Sequence, residues 1–165
     1  MSLKMIKLQS GFTLLEILIT AVILSIGLLG LAGMQVFGLR NNHSAYMRSQ
    51  ATLLAYDMAD RMRANPVGFR DDSYNNPTAT EHSGCVSTTG CSAAEMAEHD
   101  MFEWSNTLSS QLPSGSGVIC LDSTPDDGTS ASPACSNTGN VYAIKIWWND
   151  DRSNNLQRFV TSFQP

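Results

Sequence analysis

The sequence predicts an α+β fold, in which a long amino-terminal helix packs its second half against a small antiparallel β-sheet head. Three observations predict it. A run of 23 residues without a charge extends from Ile17 to Leu39. An apolar stripe with helical spacing follows over residues 41–64, and a segment rich in β-branched and aromatic residues occurs at 141–148.

The composition limits the classes of function. Of 165 residues, only 15% are charged, and ten Lys and Arg against fifteen Asp and Glu give a net charge of −5. The chain therefore has no basic surplus to neutralise phosphates, which argues against nucleic-acid binding. No nucleophile-elbow, zinc-protease or P-loop pattern occurs, so we expect neither an enzyme nor a bound cofactor or metal.

The uncharged run predicts one membrane-spanning helix, because about 20 helical residues cross a hydrocarbon core of about 30 Å. An ordinary secretory signal peptide fits less well. Its charged start is present at Lys4 and Lys7, but the apolar run is too long and has an acid, Glu16, near its beginning. A carboxylate in a membrane is costly, so Glu16 is expected to have a partner.

The residues before the run carry a specific motif. Lys4 and Lys7 are followed by Gly11–Glu16, which reads GFTLLE. This arrangement resembles the class III signal of type IV prepilins and pseudopilins. The resemblance implies a leader over residues 1–11, cleavage by prepilin peptidase between Gly11 and Phe12, and N-methylation of Phe12. Residues 12–39 would then form the transmembrane helix and, in a filament, part of the core.

Glu16 is the expected assembly residue. In a bundle of such helices its carboxylate can pair with the new amino-terminal amine of a neighbouring subunit, which offsets two burial costs and fixes the register. The alternative is a carboxylate that extends to the membrane surface. Four glycines in the same helix either permit close helix packing or mark points where the helix loosens, and the sequence does not decide between these readings: Gly27, Gly30, Gly33 and Gly38.

Residues 40–65 are predicted to continue the helix as an amphipathic second half that ends at Asn65-Pro66. The segment Leu54–Pro66, together with Gly27–Gln35, is similar to PilV-type minor pilins, the type IV pilus modification proteins. That similarity implies the type IV pilin fold. The expected core stripe consists of Met47, Ala51, Leu54, Met58 and Met62.

Residues 66–165 are expected to form a periplasmic globular head. A polar connection over 66–92 precedes a helix at about 92–112, where Ser92 and Glu95 have capping-box spacing. Strands are predicted at about 118–122, 141–148 and 158–163, with one face of the sheet buried against the long helix. The apolar stripe of the 92–112 helix consists of Ala97, Met101, Trp104, Leu108 and Leu112.

The four cysteines all lie beyond the membrane segment, at Cys85, Cys91, Cys120 and Cys135. An even number in a small exported head predicts two disulfides. Three connectivities are possible, and closure of local loops favours Cys85–Cys91 with Cys120–Cys135. The rival is a zinc site formed by His82, Cys85, Cys91 and His99, whose spacing is wider than in most structural zinc sites.

The remaining acids and histidines are interpreted as solvated. Asp126-Asp127-Gly128 and Asp150-Asp151 lie in polar turns without the full spacing of a calcium-binding loop. His43, His82 and His99 are scattered along the chain, and His99-Asp100 is expected to be solvated on an exposed helical face.

The resemblance implies a structural subunit that primes or modifies type IV pilus assembly near the tip. Its partners would be other minor pilins, the major pilin, prepilin peptidase and the inner-membrane assembly platform. The chain would span the inner membrane once with a periplasmic head, and then enter the extracellular pilus. Two alternatives stay open: a type II secretion pseudopilin and an adhesin displayed at the pilus tip.

Overall fold

The structure, a computed structural model, describes residues 11–150 and 156–164. The chain divides into two units, Met1–Asn42 and His43–Pro165. A long amino-terminal helix, α1 (Leu14–Ala64), and an antiparallel three-stranded sheet confirm the predicted α+β type IV pilin fold. Leader residues 1–10, with Lys4 and Lys7, lie outside the described residues, as do residues 151–155, which include Asp151.

The first unit contains the apolar part of α1. Within the described residues, α1 is the single helix that is long and apolar enough to cross a membrane. Its hydroxyl groups bond to the helix backbone: Thr20 Oγ1 donates to the Glu16 carbonyl at 2.7 Å, and Ser25 Oγ donates to the Ala21 carbonyl at 2.7 Å. Such internal bonds suit a helix in lipid, where no water satisfies polar groups.

In the second unit, α1 buries one stripe and ends at Ala64. Asn65 then caps a short helix, α2 (Pro66–Arg70), by accepting a hydrogen bond from the Gly68 N–H at 3.1 Å. Pro66 suits the first helical position because its missing N–H has no helical acceptor there. The stripe comprises the expected Met47, Ala51, Leu54, Met58 and Met62, together with Ala55 and Ala59.

The connection expected over 66–92 contains two short helices, α2 and a 3-10 helix at Ser83–Val86. The next long helix, α3, spans Ala93–Gln111. Ser92 and Glu95 form the capping box: Glu95 N–H donates to Ser92 Oγ, and Ser92 N–H donates to Glu95 Oε2. Its apolar stripe is buried, and includes Ala97, Met101, Trp104, Leu108 and Leu112.

The sheet consists of β1 (Ser116–Leu121), β2 (Tyr142–Asn149) and β3 (Leu156–Phe163), with β2 in the centre. One face packs on α1 and α3, and there a Cβ on Gly117 would lie 2.4 Å from the Trp104 ring. Only glycine therefore permits β1 to approach α3 this closely. This face carries Ile119, Leu121, Tyr142, Ile144, Ile146 and Trp148.

The predicted burial of one face of the sheet against the helices is observed, but the second face is covered as well. Every residue of β2 from Tyr142 to Trp148 is buried, so both faces of this strand are covered. The second face carries Cys120, Lys145 and Trp147. The segment that joins β1 to β2, here named the β1–β2 connection (residues 122–141), reaches this face through hydrogen bonds to Lys145.

Candidate functional site

The amino-terminal residues of the described chain are open to solvent. Gly11 has no atom within 4 Å of the position that a Cβ would occupy, and Phe12 is 80% exposed. Residues 11–13 precede the first turn of α1 and have no regular structure. The peptide bond between Gly11 and Phe12 is therefore accessible, as a protease substrate has to be.

Glu16 lies in the first turn of α1, four residues after Phe12. The two side chains line one shallow groove of about 320 Å³, together with Ile17 and Thr20. The Glu16 N–H donates to the Thr13 carbonyl at 3.1 Å, so the backbone is satisfied. No cation among the described residues pairs with the Glu16 carboxylate, which leaves it available for a charge on another molecule.

The apolar part of α1 exposes seventeen large hydrophobic side chains between Phe12 and Leu39. Burial of one such side chain contributes about 1.5–3 kcal/mol, so their exposure to water would cost tens of kcal/mol in total. Lipid or other apolar helices have to cover this segment. The glycines at 27, 30, 33 and 38 have no neighbour within 4 Å of a Cβ position, so the backbone of this helix is accessible at these four positions.

Comparison with known proteins identifies the class. A family model of the prokaryotic N-terminal methylation motif matches residues 6–32, and the family model described as type IV pilin Tt1218 matches residues 33–102. Together these matches cover residues 6–102 without a gap, which is more than half of the chain. The chain is a type IV pilin. This family consists of structural subunits.

No curated protein matches this pilin. No solved structure matches it. The second of these matches ends at residue 102, so the two together include α1, α2 and the first half of α3, whereas the sheet of the pilin lies beyond them.

The head of the pilin contains two disulfides, Cys85–Cys91 and Cys120–Cys135. The zinc alternative at His82, Cys85, Cys91 and His99 is contradicted, because both cysteines of that set are bonded to each other and have no thiolate to offer. Within the described part of the chain, no group of three or more His, Cys, Asp or Glu side chains is arranged to hold a metal ion.

The prediction that His99 and Asp100 are solvated was wrong. Their exposed fractions are 5% and 7%. The Tyr74 hydroxyl donates to Asp100 Oδ2 at 2.5 Å, and Arg61 Nη1 donates to Asp100 Oδ1 at 3.3 Å. Burial, together with the bond to Asp100, raises the pKa of Tyr74 above its ordinary value. These contacts join α1, α3 and the segment after α2.

The segment that covers this part of α3 is attached by hydrogen bonds. The His82 N–H donates to His99 Nδ1 at 3.1 Å, and the Thr80 N–H donates to the Glu98 carbonyl at 3.3 Å. His82 Nε2 lies 2.7 Å from Glu98 Oε2. His99 is therefore buried under a loop, which the periodicity of α3 does not reveal.

Asp126 and Asp127 lie in an exposed turn, as predicted, with side chains 93% and 46% exposed, but both also have partners in the sheet. Lys145, whose side chain is fully buried, donates to Asp127 Oδ1 at 3.0 Å. Arg158 of β3 donates to Asp126 Oδ1 at 2.8 Å. Both acids therefore fasten the β1–β2 connection to the sheet. The bond from Lys145 holds the pKa of Asp127 below its usual range.

Sequence reasoning missed the buried lysine, although a signal was present. Lys145 is the only charged residue in the strand YAIKIWWN, and it shares its face with Ala143 and Trp147. A strand that is apolar on both faces implies that a lysine within it is covered. The acids of the preceding polar segment, Asp122 and Asp127, were then its natural partners.

Proposed function

We propose that this pilin is a minor pilin of the PilV type, which prepilin peptidase cleaves after Gly11 and which is methylated on Phe12. It enters a type IV pilus with other minor pilins and the major pilin, and primes or modifies assembly near the tip. Before assembly it spans the inner membrane once, with its head in the periplasm, where it meets the assembly platform. The methylation-motif match over residues 6–32 supports the processing step.

The observation that carries the proposal is the combination of an uncovered apolar helix with a single unpaired acid at its start. Phe12 and Glu16 face one groove, and no described cation neutralises Glu16. After cleavage the amine of Phe12 on a neighbouring subunit supplies that charge. A pair of this kind tolerates only one axial register, because a shift leaves both charges buried and unpaired.

The test is incorporation of variants into purified filaments. Glu16→Ala is compared with Leu15→Ala, a control of similar size change at the adjacent position. Removing one partner of a buried charge pair costs about 3–5 kcal/mol, so incorporation of Glu16→Ala should fall roughly a hundredfold or more. Leu15→Ala should be incorporated nearly as well as the unaltered chain. Equal incorporation of Glu16→Ala and Leu15→Ala would refute the pairing role.

Deletion of the gene separates this proposal from the two alternatives. Loss of surface fibres is expected for a subunit that primes assembly. Unimpaired fibres with failed protein export would favour a type II secretion pseudopilin. Normal fibres with lost adherence would favour a tip-displayed adhesin, for which the polar segments 71–90 and 122–140 are candidate recognition loops.

A further inference from the structure

A buried lysine and a buried aspartate meet under the β1–β2 connection. Lys145 Nζ lies 2.6 Å from Asp122 Oδ2, and both side chains are fully buried. On either side of Lys145, the neighbouring strands place apolar residues, since Val118 and Val160 pair with it. Asp127 approaches the same nitrogen at 3.0 Å and is 46% exposed, so it lies between the pair and solvent.

The nitrogen has more oxygen neighbours than it has protons. A lysine ammonium carries three N–H donors. Lys145 donates hydrogen bonds to Asp127 Oδ1, to the Asp127 carbonyl and to the Pro133 carbonyl, at 3.0, 3.2 and 2.9 Å. Asp122 Oδ2 is nearer than any of these, at 2.6 Å, and is the fourth oxygen around a nitrogen that carries three protons. Lys145 therefore holds the carboxyl group of Asp122 in direct contact with its nitrogen.

We propose that Lys145 and Asp122 become joined by an intramolecular amide bond that the folded head forms itself, with Asp127 as the proton carrier. Asp127 accepts one proton from Nζ and passes it to the carboxyl group of Asp122, so that a neutral amine attacks Cγ of a neutral carboxyl group and forms the C–N bond. The C–O bond then breaks, and the departing oxygen leaves as water with two protons that originate from the ammonium. Ammonium and carboxylate give amide and water, so atoms and charge balance and no oxidant or reductant is required.

Three features of the site favour this reaction over a permanent ion pair. The reacting groups are already in contact, and such placement is worth effective molarities on the order of 10⁵–10⁸ M. The product replaces two buried charges by one neutral amide, which removes the desolvation cost of the pair. Asp127 touches both the reacting nitrogen and solvent, so it offers a path for protons and for the released water.

The amide would close the β1–β2 connection independently of the Cys120–Cys135 disulfide. Asp122 directly follows β1, and Lys145 lies in the middle of β2. The disulfide joins the same strand to Cys135 in the connection. A subunit exported to an oxidising compartment would then keep the second face of its sheet covered even if the disulfide were reduced.

Mass spectrometry of the full chain tests the proposal, after extraction in detergent, denaturation, and reduction and alkylation of all four cysteines. Chymotrypsin cleaves after Leu121, Tyr142 and Trp147, which places Asp122 and Lys145 in separate fragments, 122–142 and 143–147. The proposal predicts one linked species whose mass is the sum of the two fragments less one water. Two unlinked fragments of full mass would overturn it.

Two matched variants test the role of Asp127. Asp127→Asn should lower the linked fraction roughly tenfold or more, since a positioned proton carrier contributes on the order of 10²–10⁴ in rate. Asp126→Asn is the control, because Asp126 bonds to Arg158. It should remain fully linked. Complete linkage in Asp127→Asn would overturn the role of Asp127. The unaltered chain decides the existence of the bond even if a variant fails to fold.

Discussion

The buried network around Asp100 provides a sharp test of how the head is held together. Tyr74 is fully buried, and its hydroxyl donates to Asp100 Oδ2 at 2.5 Å while it accepts from Asn65 Nδ2 at 3.3 Å. Tyr74→Phe keeps the ring and removes only the hydroxyl. Asp100 then retains Arg61 as its one side-chain partner, and a buried carboxylate oxygen loses its donor.

The expected magnitude follows from the charge on Asp100. A hydrogen bond to a charged group contributes about 1.5–3 kcal/mol, and a domain of this size loses about 4 °C in Tm per kcal/mol. Tyr74→Phe should therefore lower Tm by roughly 6–12 °C. Tryptophan fluorescence of the detergent-solubilised chain measures this for the head alone, because all three tryptophans lie there, at positions 104, 147 and 148.

The same substitution at an exposed site is the control. Tyr56 is 57% exposed on α1, so Tyr56→Phe should change the free energy of unfolding by less than about 0.5 kcal/mol. If Tyr74→Phe unfolds at the same temperature as Tyr56→Phe, the hydroxyl of Tyr74 does not stabilise the head and the reasoning is refuted.

Three further predictions concern the head. The hydrogen bond from Arg61 lowers the pKa of Glu103, so the ionised Glu103 side chain stabilises the folded head. This stabilisation is complete above pH 4.5, the ordinary pKa, and is lost as the pH falls through the lower pKa of the folded state. Urea unfolding at a series of pH values should show this loss, and Glu103→Gln should make the free energy of unfolding less dependent on pH. Gly117→Ala places a methyl group against the Trp104 ring and should lower the free energy of unfolding by about 1–3 kcal/mol. An unchanged midpoint of urea unfolding would contradict that packing. Asn65→Ala removes the cap of α2 and should lower the stability of this helix by about 0.5–2 kcal/mol. The backbone amides of α2 should then exchange hydrogen faster, and unaltered exchange would exclude the cap as a stabilising contact.

The fold class and the two long helices follow from periodic signals in the sequence. The uncharged run after Glu16 predicts the membrane-compatible part of α1, and the spacing of the methionines predicts which side of α1 is buried. These signals are reliable because each arises within a single helix, from residues that contact one apolar environment, either the lipid or the protein core.

The errors occur where an irregular segment covers a regular one. His99 and Asp100 lie on the polar side of α3, but the loop through His82 covers His99, and Tyr74 and Arg61 bond to Asp100. Lys145 lies on the second face of β2, and the β1–β2 connection buries it. Hydrophobic periodicity shows which face of a helix or strand is apolar and which is polar. It contains no information about which loop packs over the polar face.

The identity of the amino-terminal residue in assembled filaments tests the central claim most directly. Sequencing and mass spectrometry of purified fibres should find this chain beginning at an N-methylated Phe12, with residues 1–11 absent. A chain in fibres that still carries its leader, or that begins beyond residue 30, would contradict assembly through the helix that starts at Phe12 and Glu16.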